Sequence, residues 1–170
     1  MPIVGNLTGP VSTASSVMEP VVFYKELRKK KNVDAHAFMQ FVTDQLIRFG
    51  QAQIEAGADV IAISDPSATG EILGPKYFRE FTVRYVNQIV DAMKEAGAQT
   101  IVHICGHMNP VYKEVDEIHS DALSFDSVVP MKEAREELKG RTLMGNVSTY
   151  TLEFGDPDKV ETLAKNCVKN

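Results

Sequence analysis

His103 and Cys105, separated by a single isoleucine, are the side chains whose types and spacing point most directly to chemistry. In a β-strand, residues two apart face the same way, with Cα atoms about 6.5–7 Å apart. An imidazole nitrogen and a thiolate so placed can converge on one zinc ion, at about 2.0–2.1 and 2.3 Å respectively. The same spacing also suits a packed cysteine beside a hydrogen-bonded histidine. Two ligands are, moreover, fewer than the three that a catalytic zinc normally takes from protein. His107 lies beyond Gly106 and reads as a loop residue or a substitute ligand. Cys167 falls on the apolar stripe of the last helical segment and reads as a core cysteine, far from any strand end. His36 and His119 have no acidic or cysteine partner at ligand spacing and read as surface residues. The serines from Ser12 to Ser16 lack the nucleophile-elbow pattern, which argues against a serine hydrolase.

The elements that must position these groups are short β-branched runs alternating with helical patterns. The runs cover 3–8, 59–65, 100–105, 122–126 and 142–147. A Gly/Pro/Ser-rich loop is expected over 9–16, then a short helix over 22–31 and a longer one from Asp34. The longer helix carries Phe38, Val42, Leu46, Phe49 and Ala52 at helical spacing, and Gly57 stops it. Gly74-Pro75 opens the next helix, with Phe78, Phe81, Tyr85, Ile89 and Met93 on one stripe, and Gly97 ends it. Asn109-Pro110 and Pro130 begin two more helices, and Asp156-Pro157 caps the last. Five strands alternating with helices predict a parallel α/β sheet, either part of a barrel or an open doubly wound sheet. The chain has no GxGxxG or GxxxxGK[ST], so nucleotide-binding open sheets lose support. A barrel needs eight strands and about 250 residues, so a barrel would be incomplete here. Polar groups gather at the expected C-terminal ends of all five strands, where both architectures build their sites. These are Asn6, Asp65, His103 with Cys105, Asp126 and Asn146.

At 170 residues, with 44% apolar and 24% charged residues, the sequence reads as one globular domain over 1–170. Its net charge of −5 argues against nucleic acid as a partner. The basic run from Arg28 to Lys31 is short and lacks aromatic neighbours, so it reads as the solvated end of a helix. No apolar stretch approaches the roughly 18 residues that span a membrane, and the N-terminus has no signal-peptide pattern. A cytoplasmic protein with two reduced thiols is the expectation.

Several segments carry a resemblance to a known family. They are Gly5-Asn6-Leu7-Thr8-Gly9-Pro10, Ile63-Ser64-Asp65-Pro66 with Leu73-Gly74-Pro75, the His103/Cys105 pair, Phe125-Asp126 and Met144-Gly145-Asn146-Val147. Together they resemble the methylcobamide:coenzyme M methyltransferases of the uroporphyrinogen decarboxylase superfamily, nearly end to end. The resemblance implies parallel (βα) units forming part of a TIM-like (βα)8 barrel, incomplete in this chain, which would be its C-terminal part. It implies zinc held by an HxC pair and a distant cysteine, which makes His103 and Cys105 metal ligands. The third ligand is then expected beyond Asn170, a place that Cys167 does not match. The implied methyl donor is a methylated corrinoid (methylcobamide) protein, and the implied acceptor is a small thiol such as coenzyme M. Asp65 and Asp126 become candidate catalytic groups, which orient the metal ligands, fill an open coordination position or bind a polar group of the substrate. Both also suit plain helix capping or loop hydrogen bonding. Asn6 and Asn146 are candidate cofactor contacts.

Uroporphyrinogen decarboxylases share the pattern around Gly74, Pro75 and Phe78-Arg79-Glu80-Phe81, so tetrapyrrole decarboxylation is the alternative activity. The HxC pair has no purpose in that metal-free reaction. A third reading is a non-catalytic barrel fragment. An incomplete barrel exposes strand edges and apolar faces, so this chain is expected to self-associate into homo-oligomers and to be inactive alone.

Overall fold

Parallel pairing in strict sequence order defines the computed structural model, which describes residues 1–169. Strands β1 (Val4–Thr8), β2 (Val60–Ser64), β3 (Gln99–Ile104), β4 (Ala122–Phe125) and β5 (Thr142–Met144) form one sheet in the order β1-β2-β3-β4-β5. Every neighbouring pair is parallel. A doubly wound sheet reverses its strand order at a switch point; this sheet never does. Crossovers of one hand, always moving to the next strand, lay the helices on one face of the sheet. That is the winding of a TIM-like (βα)8 barrel, of which these five strands are a part. The open doubly wound alternative falls.

Burial along the strands follows from this winding. Leu7, Ile61, Ile63, Val102, Ile104, Leu123 and Phe125 face the helices and are at most 3% exposed. The residues between them point to the opposite, inner face of the curved sheet. Near the strand tops, one rung of that inner face reads Thr8, Ser64, His103, Ser124 and Met144. A row of hydroxyls around one imidazole is therefore set by register alone.

The helices α1 (Pro10–Val17), α2 (Pro20–Leu27) and α3 (Val33–Glu55) link β1 to β2. Helix α4 (Gly70–Tyr77) continues through a π-helical turn, Phe78–Val83, into α5 (Arg84–Glu95). Gly74, at φ 65°, kinks α4 just before Pro75, so the expected start at Gly74-Pro75 is an internal break in a longer element. The stripe from Phe78 to Met93 is buried as expected. Short helices α6 (Tyr112–Asp116) and α7 (Met131–Glu137) follow β3 and β4. After β5 come α8 (Thr149–Phe154) and α9 (Pro157–Lys169). Among the described residues, no helix is long and apolar enough to cross a membrane.

Three helical expectations change. Residues 9–16, read as loop, hold most of α1, because the Asp65 carboxylate accepts hydrogen bonds from Val11 N–H and Ser12 N–H in its first turn. A cap supplied from another strand leaves no local signature. In α3 the buried face is Ala35, Met39, Val42, Leu46 and Gly50, whereas Phe38 is only partly buried, Phe49 is 58% exposed and Ala52 lies outside the core. The face is rotated because α3 meets α5 at Gly50, where a Cβ would stand 2.5 Å from Met93 Sδ. Helix α8 has no counterpart among the expected elements; Ser148 Oγ caps it by accepting from Thr151 N–H at 3.3 Å.

The outer edge of β1 is covered by side chains. The Gln53 amide accepts from Asn6 N–H at 2.9 Å and donates to the Asn6 carbonyl at 3.2 Å. Thr13 Oγ1 donates to the Thr8 carbonyl at 3.3 Å. These side chains stand where a further strand would pair.

Candidate functional site

Strand β3 carries His103 onto the inner face, and Cys105 follows directly after the strand's last residue. Cys105 Sγ lies 3.4 Å from His103 Nε2. For the usual zinc–nitrogen and zinc–sulfur lengths at a tetrahedral angle, the edge between the two ligand atoms is about 3.6 Å. The pair therefore already stands at the separation of two ligands of one tetrahedral ion. The other ring nitrogen, Nδ1, is 2.9 Å from Ser124 Oγ on the facing strand.

Protonation follows from the surroundings. Burial, helped by the Asp126 and Asp65 carboxylates, pushes the Cys105 thiol above its ordinary value. Burial pulls the His103 imidazole down, against an upward pull from Asp126. Near neutral pH the metal-free pair is thus a thiol beside a neutral imidazole. The S–H donates to Nε2, which leaves Nδ1–H to donate to Ser124 Oγ; this tautomer is assigned from the partners.

Asp126 sits just past β4 and faces the same cleft of about 250 Å³, which is lined by His103, Cys105, Phe125, Asp126, Ser127, Asn146, Val147 and Thr149. Burial alone would lift its carboxyl. Hydrogen bonds from Val128 N–H, Gly106 N–H and Ser127 outweigh that and hold it below the ordinary carboxylate range. Asp126 is an anion at neutral pH. Gly106, at φ 80°, lets the chain fold back after Cys105; a Cβ there would stand 2.6 Å from Glu71 Oε2.

The remaining candidates divide. Asn146 lines the cleft, but its side-chain NH2 is engaged with the carbonyls of Asp126 (2.7 Å) and Val129 (2.6 Å). It ties the top of β5 to the turn that carries Asp126. Its backbone N–H donates to Cys167 Sγ at 3.1 Å. The reading of Cys167 as a core residue far from strand ends is therefore corrected: it is half-buried and touches the strand-top residue Asn146, because α9 folds back over the end of β5. Asp65 is fully buried and directed at α1, where it binds Val11 N–H, Ser12 N–H and Ser12 Oγ (2.6 Å). Burial raises its pKa, and the Ser12 and Val11 hydrogen bonds pull it back. Asn6 is not at a strand end but is the third of five residues in β1, one inner-face step below Thr8.

Three histidines stand apart from the cleft. His107 is exposed and lies 3.8 Å from Glu71. His119 is exposed but does have an acidic partner, Asp91, at 2.8 Å. His36 is corrected from a surface residue to a half-buried one, bonded to Tyr85 OH and Glu80 and stacked on Phe81. Its partners lie more than forty residues along the chain, beyond the reach of spacing rules. Among the described residues, no group of three or more His, Cys, Asp or Glu side chains is arranged to hold a metal ion. Ser124 is the site residue that sequence reasoning missed. Its signal was strand register, which places it opposite His103.

Comparison with known proteins gives a consistent family. Residues 1–170 match the family described as Uroporphyrinogen decarboxylase (URO-D). The chain is 31% identical over 166 residues to the Methylcobamide:CoM methyltransferase MtbA of Methanosarcina mazei, covering 97% of this chain and 48% of that protein. It is 32% identical over 168 residues to the Methylcobamide:CoM methyltransferase MtaA of Methanosarcina barkeri, again over 97% of this chain and 48% of the relative. A Uroporphyrinogen decarboxylase of Chlorobaculum tepidum is 29% identical over 147 residues. A solved structure of a methyltransferase from Methanosarcina mazei superposes with a TM-score of 0.89 at 32% identity, covering 99% of this chain and 50% of that one. The chain thus spans about half the length of the relatives it matches.

Proposed function

Given that the chain belongs to the uroporphyrinogen decarboxylase family, we propose that it supplies the metal-holding half of a barrel that moves a methyl group from a methylated corrinoid to a thiol such as coenzyme M. The observation that carries this reading is the 3.4 Å separation of His103 Nε2 and Cys105 Sγ on one face of β3. A thiol and an imidazole at a tetrahedral edge suit zinc and have no evident task in metal-free decarboxylation. The Methanosarcina relatives, named as methylcobamide:CoM methyltransferases, support the same choice of donor and acceptor.

In this reading His103 Nε2 and Cys105 Sγ hold the ion, and a third protein ligand comes from outside the described residues. Bound zinc would convert the acceptor thiol to a thiolate at neutral pH, where a free thiol is mostly protonated. Asp126 keeps its charge through three backbone and hydroxyl donors and faces the ligand pair across the cleft. There it balances the cation's charge or receives a polar group of the substrate. Asn146 holds the Asp126 turn in place and so shapes the cleft wall. Asp65 acts through α1, whose first turn it fixes, and Asn6, whose side chain lies on the inner face of β1, is a contact for the cofactor. The corrinoid protein docks over the strand tops, since the methyl group must reach this cleft.

Methyl transfer from methylcobalamin to coenzyme M tests the proposal, with the chain complemented by the part of the Methanosarcina mazei relative that it does not cover. Wild type is expected to give zinc-dependent transfer, and His103→Ala and Cys105→Ala to abolish it. Activity untouched by both substitutions, or uroporphyrinogen decarboxylation that survives chelation, would favour the decarboxylase instead.

A further inference from the structure

We propose that Ser124 is the positioning residue of His103: its hydroxyl bonds Nδ1 and so holds the ring in the orientation that turns Nε2 toward Cys105. The inference deepens the zinc reading above and rests on it only for the purpose of that orientation. Its geometry stands independently.

Both ring nitrogens of His103 have one polar neighbour each, Ser124 Oγ at 2.9 Å and Cys105 Sγ at 3.4 Å. His103 and Ser124 are register partners on adjacent parallel strands, about 4.8 Å apart in the pairing direction. Strand β3 is paired on both sides, by β2 and by β4, so the backbone beneath the ring is fixed. Orientation is thus referred to two rigid strands and not to a loop. A serine is the shortest side chain that brings a hydroxyl across that gap. Alanine would leave Nδ1 without its neighbour, and the ring would be free to turn Nε2 away from Cys105. Threonine would keep the hydroxyl, and Ser124 lies on the incompletely covered inner face, which leaves room for the added methyl. Groups that hold the distal nitrogen of a metal-binding histidine commonly change metal affinity by about 10–100-fold when removed.

The test uses the whole chain and the variants Ser124→Ala and Ser124→Thr, with equal urea midpoints confirming that each is folded. Proton–proton NOEs from the His103 ring to its strand neighbours in the metal-free protein read the ring orientation, assigned through His103→Gln. Wild type and Ser124→Thr are expected to hold one orientation, and Ser124→Ala to average over more than one. Zinc affinity, read by competition with a chromophoric chelator, is expected to fall about tenfold or more in Ser124→Ala and to return in Ser124→Thr. An unchanged ring orientation in Ser124→Ala, or one lost equally in Ser124→Thr, overturns the assignment. If the orientation responds as expected while His103→Gln leaves zinc affinity intact, the zinc reading fails and the role of Ser124 in fixing the ring stands.

Discussion

Replacing Asp65 by alanine should destabilise the fold severely, because that carboxylate is the cap of α1. It is fully buried and accepts from Val11 N–H at 3.1 Å, Ser12 N–H at 2.7 Å and Ser12 Oγ at 2.6 Å. Each hydrogen bond to a charged group contributes about 1.5–3 kcal/mol net, and each buried donor left unpaired costs about 1–3 kcal/mol. Relief of the buried charge offsets part of this, since burial holds the Asp65 pKa above its ordinary value. The balance is a loss of about 3–5 kcal/mol, in line with breaking a buried charged network by removing one partner. That is a large share of the roughly 5–15 kcal/mol that keeps a domain folded. Asp65→Asn should cost less, about 2 kcal/mol, because one oxygen still accepts while the new NH2 faces N–H donors. Urea denaturation followed by circular dichroism measures both, provided the m-value stays constant. A loss below about 1 kcal/mol in Asp65→Ala, at unchanged m, would refute the capping argument and return Asp65 to the set of groups free to meet a substrate.

Other consequences concern the thiol and the acid limit of stability. Cys105 should react slowly with iodoacetamide at neutral pH, faster as pH rises past 9.0, its ordinary value, and faster in Asp126→Asn, which removes a negative charge that raises its pKa. Mass spectrometry of the alkylated chain checks this, and a rate matching a free cysteine at pH 7 would contradict it. Asp121 accepts from Thr100 N–H and Thr100 Oγ1 and pairs with Lys94; although burial alone would raise its pKa, these partners bring it below 3.8. A depressed carboxyl contributes stability above its unfolded value and loses it as pH falls below, so Asp121→Asn should flatten the acid limb of thermal stability below about pH 4. Identical acid limbs in the two proteins would count against it.

How much of this was legible in the sequence depends on distance along the chain. The strand set and the His103/Cys105 pair were legible because alternation and two-residue spacing are local. Barrel winding was not decided by the pattern itself; strand order decided it. Residues 9–16 misread as loop because their cap, Asp65, lies more than fifty positions away. The α3 stripe misread because its inward face is set by a close crossing at Gly50, where the small residue matters more than the nearby phenylalanines. Cys167 was assigned to a core by its helical phase, but α9 turns that face toward Asn146. Ser124 stayed hidden because its role comes from lateral register with His103.

X-ray absorption at the zinc edge, on the chain loaded with one equivalent of zinc, tests joint coordination by His103 and Cys105. One sulfur at about 2.3 Å and one imidazole nitrogen at about 2.0–2.1 Å are expected, with the sulfur shell lost in Cys105→Ala and the imidazole scattering lost in His103→Ala. A spectrum of light oxygen and nitrogen scatterers alone, unchanged by either substitution, would contradict the account.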